Sequence, residues 1–252
     1  MSLYKTEGVV LHQFELGEAD KIITYYTRDR GKIRVVAKGV RRTLSSKASS
    51  TQLFTYADLL IYRGKSLDKL SQTSIKESFS KLREDLLRMA YGTYILDLVK
   101  ELTVEEDPNE AMFVLLLKTL HLLMETDDLE LITRIFEIRA MTLMGFRPVL
   151  DRCLECGGLI SEDRLKFHPG SGGLVCSECG AKMSGRTVNI SRGTVEIMKR
   201  FLISNYTQLM KLKLPEYAQR ELEMVMELFV QYHLDHNLKS LDFLKSVKEM
   251  DK

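Results

Sequence analysis

The sequence predicts an α+β protein: a small N-terminal β-barrel, then a helical body carrying an inserted four-cysteine ribbon. Three observations predict it. Short β-branched and aromatic runs fill residues 1–80, an apolar period of four residues replaces them from Ser80, and all four cysteines fall between Cys153 and Cys179. A chain of 252 residues has material for one large domain or two smaller ones. The expected division is a barrel over 1–80 and a helical domain over 81–252, with 150–182 as the inserted ribbon.

The strand candidates are residues 6–14, 21–27, 32–38, 53–62 and a stretch from Leu67 to Phe79. Gly17 and the turn Asp29-Arg30-Gly31 separate the first three. Five short strands suit a closed barrel, which removes exposed sheet edges. An open meander has the same periodicity and stays an alternative. Residues 41–52, RRTLSSKASSTQ, have no apolar period and read as a mobile loop between strands.

Helical patterning begins at Ser80. Leu82, Leu86, Ala90, Tyr94, Leu98 and Leu102 mark one face of a long amphipathic helix. Pro108 fits the start of a second helix reaching about Met124. A third runs from Leu129 to Met144, where Gly145 and Pro148 supply the stop. Ser191 can cap a helix to Ile203, Pro215 starts another to about His236, and the tail from Ser240 adds a last turn or two.

Cys153-x2-Cys156 and Cys176-x2-Cys179 have zinc-ribbon spacing, two turns each offering a pair of thiolates. Gly157, Gly158 and Gly180 let the backbone turn tightly beside them. Four sulfurs fill a tetrahedral shell and leave no position for a nucleophilic water, so the expected zinc, one per chain, is structural. The competing arrangement puts nearby His168 in place of one cysteine and leaves that thiolate reactive.

Other chemistry is missing from the sequence. Gly64-Lys65-Ser66 lacks the earlier glycine of a phosphate-binding loop, since position 59 is Leu59. No histidine forms an H-E-x-x-H pair, and Pro169 to Gly173 lacks a nucleophile elbow. No apolar run reaches the roughly 20 residues of a membrane span, and Glu7, Glu15 and Asp20 interrupt any secretory leader. These absences point away from an enzyme and away from secretion or membrane insertion.

Charge is uneven. Residues 1–80 hold 14 Lys/Arg and 8 Asp/Glu, a net of +6, whereas the whole chain carries only +2. Between Lys21 and Lys47 nine bases face one acid, Asp29. In the strand 32–38 alternation puts Ile33, Val35 and Ala37 on one face and Lys32, Arg34, Val36 and Lys38 on the other. Arg41, Arg42 and Lys47 extend this cationic ridge into the loop. A solvated face is the ordinary reading of such a strand, but a solubilising surface mixes both signs. A polyanion such as nucleic acid is the natural partner. Tyr25, Tyr26, Phe54, Tyr56 and Tyr62 offer either barrel core or stacking platforms for unpaired bases.

In this order the features resemble the bacterial RecO family of recombination mediators. The resemblance covers nearly the whole chain. It is carried by Thr6 to Leu11, Gly17 to Lys21, Thr27 to Arg42, Leu53-Phe54-Thr55, Gly145-Phe146-Arg147-Pro148, the four cysteines and Gly172 to Cys176. It implies an N-terminal OB-fold that binds single- and double-stranded DNA and anneals complementary strands. It further implies work with RecR to load RecA onto strands coated by the single-stranded-DNA-binding protein (SSB), whose C-terminal tail docks on the helical domain. On this chain the implied DNA contacts are Lys21, Arg28, Arg30, Lys32, Arg34, Lys38, Arg41, Arg42 and Lys47, with Arg134 as the implied tail contact. Such a protein is non-enzymatic, cytoplasmic and nucleoid-associated. The alternatives are a zinc-containing nucleic-acid enzyme and an RNA-binding or protein-docking module with no repair role.

Overall fold

The computed structural model describes residues 2–160, 164–234 and 236–250. Five strands form the N-terminal element: β1 (Leu3–Leu16), β2 (Asp20–Thr27), β3 (Gly31–Ala37), β4 (Tyr56–Tyr62) and β5 (Asp68–Glu77). They close into a barrel in the order β1-β2-β3-β5-β4. Antiparallel pairing of β1 with β4 joins the ends of that order, and β3 lies parallel to β5 through Val35–Asp68 and Val36–Lys69. This is the OB-fold, a five-stranded Greek-key barrel. Alternation fills the interior with Val10, Ile23, Tyr25, Ile33, Val35, Leu59, Ile61 and Leu70. A bulge between Val10 and His12 bends β1 so that its last turn of strand projects with β2 as a hairpin.

The segment after β3, expected as a mobile loop, forms successive turns. Amides of Arg42, Ser45 and Ala48 each donate to the carbonyl three residues back. Ser50 and Thr51 are buried, and their hydroxyls donate to the Lys47 carbonyl at 2.9 and 3.1 Å. Ser50 and Thr51, polar residues in a stretch without apolar period, therefore supply hydrogen bonds that hold the last of these turns.

The helix expected from Ser80 is broken. α1 (Lys81–Glu84) ends at Asp85, whose extended backbone and carboxylate, accepting from the Arg88 amide, cap α2 (Leu86–Leu102). Leu86 thus falls on the first turn and is 52% exposed, not part of the buried stripe. α3 (Glu110–Glu125) starts two residues after Pro108, because Asn109 caps it through the Met112 amide at 3.0 Å. α4 (Leu129–Leu143) ends as expected: the Phe146 amide donates to the Met141 carbonyl and the Gly145 amide to that of Thr142, a Schellman closure.

By contacts the chain divides into two compact units, residues 1–129 with 238–252, and residues 130–237. In the first unit the barrel is packed against α2 and α3. Phe113 on α3 meets Tyr26 and Tyr56 with ring centroids 6.4 and 5.9 Å apart. Phe54, at φ 71, lays its ring on α2 at Gly92, where a β-carbon would come within 2.7 Å of it. The tail forms α9 (Lys239–Met250), which returns to α2: the Ser240 hydroxyl donates to Asp97 at 2.7 Å.

The second unit contains most of α4 and a three-stranded sheet of order β7-β6-β8, made of β6 (Arg164–His168), β7 (Gly173–Val175) and β8 (Val188–Ser191). The short α5 (Ser177–Lys182) precedes β8, and α6 (Arg192–Ile203), α7 (Tyr206–Leu209) and α8 (Glu216–Leu234) follow it. β8 lies beyond residue 182, so the ribbon's sheet extends past the expected insert. Ser191 caps α6 through the Thr194 amide, as its sequence position predicts. Phe167 of β6 packs edge-on against Phe229 of α8 at 5.7 Å. Among the described residues no helix is long and apolar enough to cross a membrane.

Candidate nucleic-acid interface and metal centre

Alternation along β3 is as predicted: Ile33, Val35 and Ala37 are buried, and Arg34 and Lys38 are exposed. The nine implied DNA contacts nevertheless do not form one ridge. They separate toward the two ends of the β2–β3 hairpin.

At the end formed by residues 28–34, most of the positive charge is already matched. Arg28 pairs with Glu7 and, at 3.0 Å, with Glu110, and its guanidinium lies over the Phe113 ring. Arg30 stacks on Tyr4, with 4.2 Å from guanidinium carbon to ring centroid. Arg34 pairs with Glu105 at 2.7 Å. Lys32 is committed inward: its ammonium donates to the carbonyls of Lys100 and Thr103, each at 2.5 Å, at the end of α2. Burial holds that ammonium below the usual lysine range, although Glu101 and Glu105 oppose the shift. Lys32 is thus a helix cap, which corrects its place on the free ridge. Apart from Glu7, the acids that pair with these arginines come from residues 105–110, where Lys32 and Glu105 form a parallel bridge and the Glu106 amide donates to the Lys32 carbonyl. Gly31, at φ +65, permits this approach, since a β-carbon there would sit 2.2 Å from the Asp107 carbonyl oxygen.

The opposite end is different. Lys38 and Arg42 are exposed and carry no ion pair among the described residues. Arg41 bonds the Gly17 carbonyl at 3.0 Å and Glu15 at 3.1 Å, which ties the turns after β3 to the β1–β2 turn. The Gly39 amide completes that tie by donating to Asp20 at 2.7 Å. Lys21 bonds the Gln13 amide oxygen, and Lys47 bonds the Leu70 carbonyl. Lys69 joins this group through its pairing with Val36. Sequence reasoning passed over it because the basic cluster was bounded at Lys47, although alternation with buried Leu70 marks it as outward.

The aromatic candidates are mostly structural. Tyr25, Tyr26 and Phe54 are buried, and Tyr56 donates to Glu7 at 2.6 Å while packing on Phe113. Only Tyr62 of the five is exposed, at 44%. Gly64-Lys65-Ser66 is a hairpin turn between β4 and β5, with the Gly64 amide donating to Asp68.

In the second unit the four cysteines converge as their spacing predicts. Their Sγ atoms all lie within 4.8 Å of one another. A zinc ion with Zn–S bonds of about 2.3 Å sets its four sulfurs about 3.8 Å apart, so the cluster is compatible with one ion. Cys153 is buried and the others lie nearer the surface. Burial opposes ionisation of the Cys153 thiol, but the amides of Cys156, Cys176 and Glu155 around its sulfur outweigh it and bring the pKa down to about 6. That is the chemistry of a thiolate ligand held by backbone donors. The first cysteine turn is anchored to β7 by Leu154 and Leu174 amides, which donate to the Leu174 and Val149 carbonyls at 2.9 Å.

His168 is not part of the cluster. Its Nδ1 accepts from the Ser171 amide at 3.0 Å, so Nε2 carries the proton and donates to the Ser184 carbonyl at 3.1 Å. Arg134 is also engaged internally. It is 2% exposed, pairs with Glu130 at 2.6 Å, and holds both oxygens of fully buried Glu137 at 2.7 and 2.9 Å. The expected open tail contact at Arg134 is therefore corrected, because its guanidinium already serves two carboxylates on its own helix.

Fold and site define the class: an OB-fold barrel joined to helices that carry a four-cysteine centre able to hold one metal ion. Two family descriptions match, Recombination protein O N terminal over residues 1–79 and Recombination protein O C terminal over residues 83–242. The DNA repair protein RecO of Pelotomaculum thermopropionicum is 38% identical over 244 residues, 97% of this chain and 94% of its own. Those of Symbiobacterium thermophilum and Alkaliphilus metalliredigens are 37% and 36% identical and cover 98% and 97% of this chain, with 99% and 100% of their own length matched. The chain belongs to the RecO family of DNA repair proteins.

Proposed function

We propose that this protein is a non-enzymatic recombination mediator that binds single- and double-stranded DNA, anneals complementary strands and, with RecR, helps load RecA onto strands coated by SSB. The observation that carries the DNA-binding part is the separation of matched from unmatched charge on the barrel. Acids from 105–110 neutralise one end, and Lys38 and Arg42 stand unpaired at the other, with Lys21, Arg41, Lys47 and Lys69 around them. Such a cationic end takes phosphates, and two strands brought to it repel each other less. The family resemblance supports the partners, and holding coated DNA and the SSB tail together would raise the local concentration without one very tight contact. With Arg134 buried, the tail would bind other groups of the helical region.

One zinc would be held by Cys153, Cys156, Cys176 and Cys179, joining the two cysteine turns beside β6 and β7 in a region with few apolar residues of its own. Four protein ligands leave no open position, so the ion supports folding rather than hydrolysis.

The test is DNA binding by the Lys38→Ala/Arg42→Ala double variant. Affinity for a labelled single strand should fall about tenfold at moderate salt, and the slope of log affinity against log salt should flatten by about one to two. Annealing of complementary strands should slow in parallel. Unchanged affinity and slope refute the assignment of this end, and wild-type protein that fails to anneal refutes the mediator reading.

A further inference from the structure

We infer that the outer face of β1, β2 and β3 carries a base-stacking strip centred on Phe14, which distinguishes unpaired from paired DNA. The inference rests on the DNA-binding reading above and adds to it a residue that selects the form of the ligand. Phe14 is 62% exposed, more than any other barrel aromatic. It pairs across the sheet with Ile22, and Ile22 pairs with Val36, so the three form a row. Their neighbours Ile23 and Val35 point into the core, which puts the row on the outer face.

The surroundings of the row are cationic. Lys38 stands two residues from Val36 on the same face, about 7 Å away along β3, and Arg34, whose charge Glu105 matches, stands two residues to its other side. Lys69 continues the row beyond Val36 on β5. Near His12, the α2 groups Asp97, Lys100 and Glu101 bound the face, and the turns around Arg41 bound it at the hairpin tip. An apolar row inside a cationic frame matches a strand whose bases lie on the row and whose phosphates reach the frame. A duplex keeps the faces of its bases stacked internally and presents only phosphates, sugars and base edges. An apolar protein partner would need the row but not the frame, so charge complementarity favours nucleic acid.

The chain has no tryptophan, so Phe14→Trp introduces a single reporter. Saturating oligothymidine should quench its emission, whereas a duplex of equal length bound to saturation should not. Phe14→Ala should bind the single strand about tenfold more weakly, the loss of one stacked base, and the duplex less than about twofold more weakly. Wild-type urea midpoints in both variants establish that they fold. Anisotropy that shows oligothymidine bound to Phe14→Trp without quenching overturns the strip and leaves the DNA-binding reading standing. Failure of wild-type protein to bind either DNA overturns both. A blue shift that grows with protein concentration in the absence of DNA assigns the strip to a second copy of the chain and overturns the inference.

Discussion

Replacing Lys32 by methionine should destabilise the fold and leave DNA binding intact, although Lys32 lies in the middle of the most basic stretch of the sequence. Methionine keeps an apolar stem of similar length and removes only the ammonium. Two charge-assisted hydrogen bonds to the end of α2 are lost, those to the Lys100 and Thr103 carbonyls. Hydrogen bonds to charged groups contribute about 1.5–3 kcal/mol each, and a cation at a helix C-terminus adds about 0.3–1 kcal/mol. Against this stands the cost of burying the ammonium, visible in the direction of its pKa. The half-buried site also lets water reach part of the freed carbonyls. The net expectation is a loss of about 2 kcal/mol, read as a lower urea midpoint at an unchanged slope. Affinity for single-stranded DNA and its salt slope should match wild type. An unchanged midpoint would show that the cap assignment is wrong, and a salt slope reduced by about one would show that Lys32 faces phosphate.

Two further outcomes follow from the same physics. Cys176→Ser should abolish stoichiometric zinc, measured by a chromogenic chelator after denaturation, and should lower the melting temperature while barrel-mediated DNA binding persists. Retention of one zinc per chain would exclude the four-cysteine centre. Glu7→Gln should blunt acid sensitivity. Burial raises the Glu7 pKa, but bonds from Lys76 and Tyr56 with the charge of Arg28 outweigh it and hold the carboxyl below its usual 4.5. A depressed carboxylate stabilises the fold above that value and loses its contribution as pH falls through the folded-state pKa. Wild type should therefore lose more stability than the variant between pH 5 and pH 3, and parallel melting curves over that range would refute the pairing.

Much of the local structure was legible. Alternation in 32–38 assigned the faces of β3 residue by residue, because period 2 is a property of the extended chain itself. Ser191, Pro215 and Gly145 marked their helix ends through hydrogen bonds, a side-chain cap at Ser191 and backbone bonds at the other two, that depend only on nearby residues. Asp85 did not stand out, because an aspartate beside a continuous apolar stripe reads as a solvated residue until its carboxylate is seen to cap. The serines of 41–52 gave no sign of buried turns, since a hydroxyl's partner is invisible in a sequence.

For the site, the sequence alone determined the convergence of the four cysteines, because their spacing already encodes two paired turns, and it determined that positive charge concentrates in the barrel. Only the tertiary structure decided which of those charges are free. Arg28, Arg34 and Lys32 meet Glu110, Glu105 and the end of α2, groups 68 to 82 residues away in the chain. A count along the sequence cannot include them. Coulomb energy depends on distance in space, so the same nine cations read as one ridge in sequence and as two unlike ends in the fold.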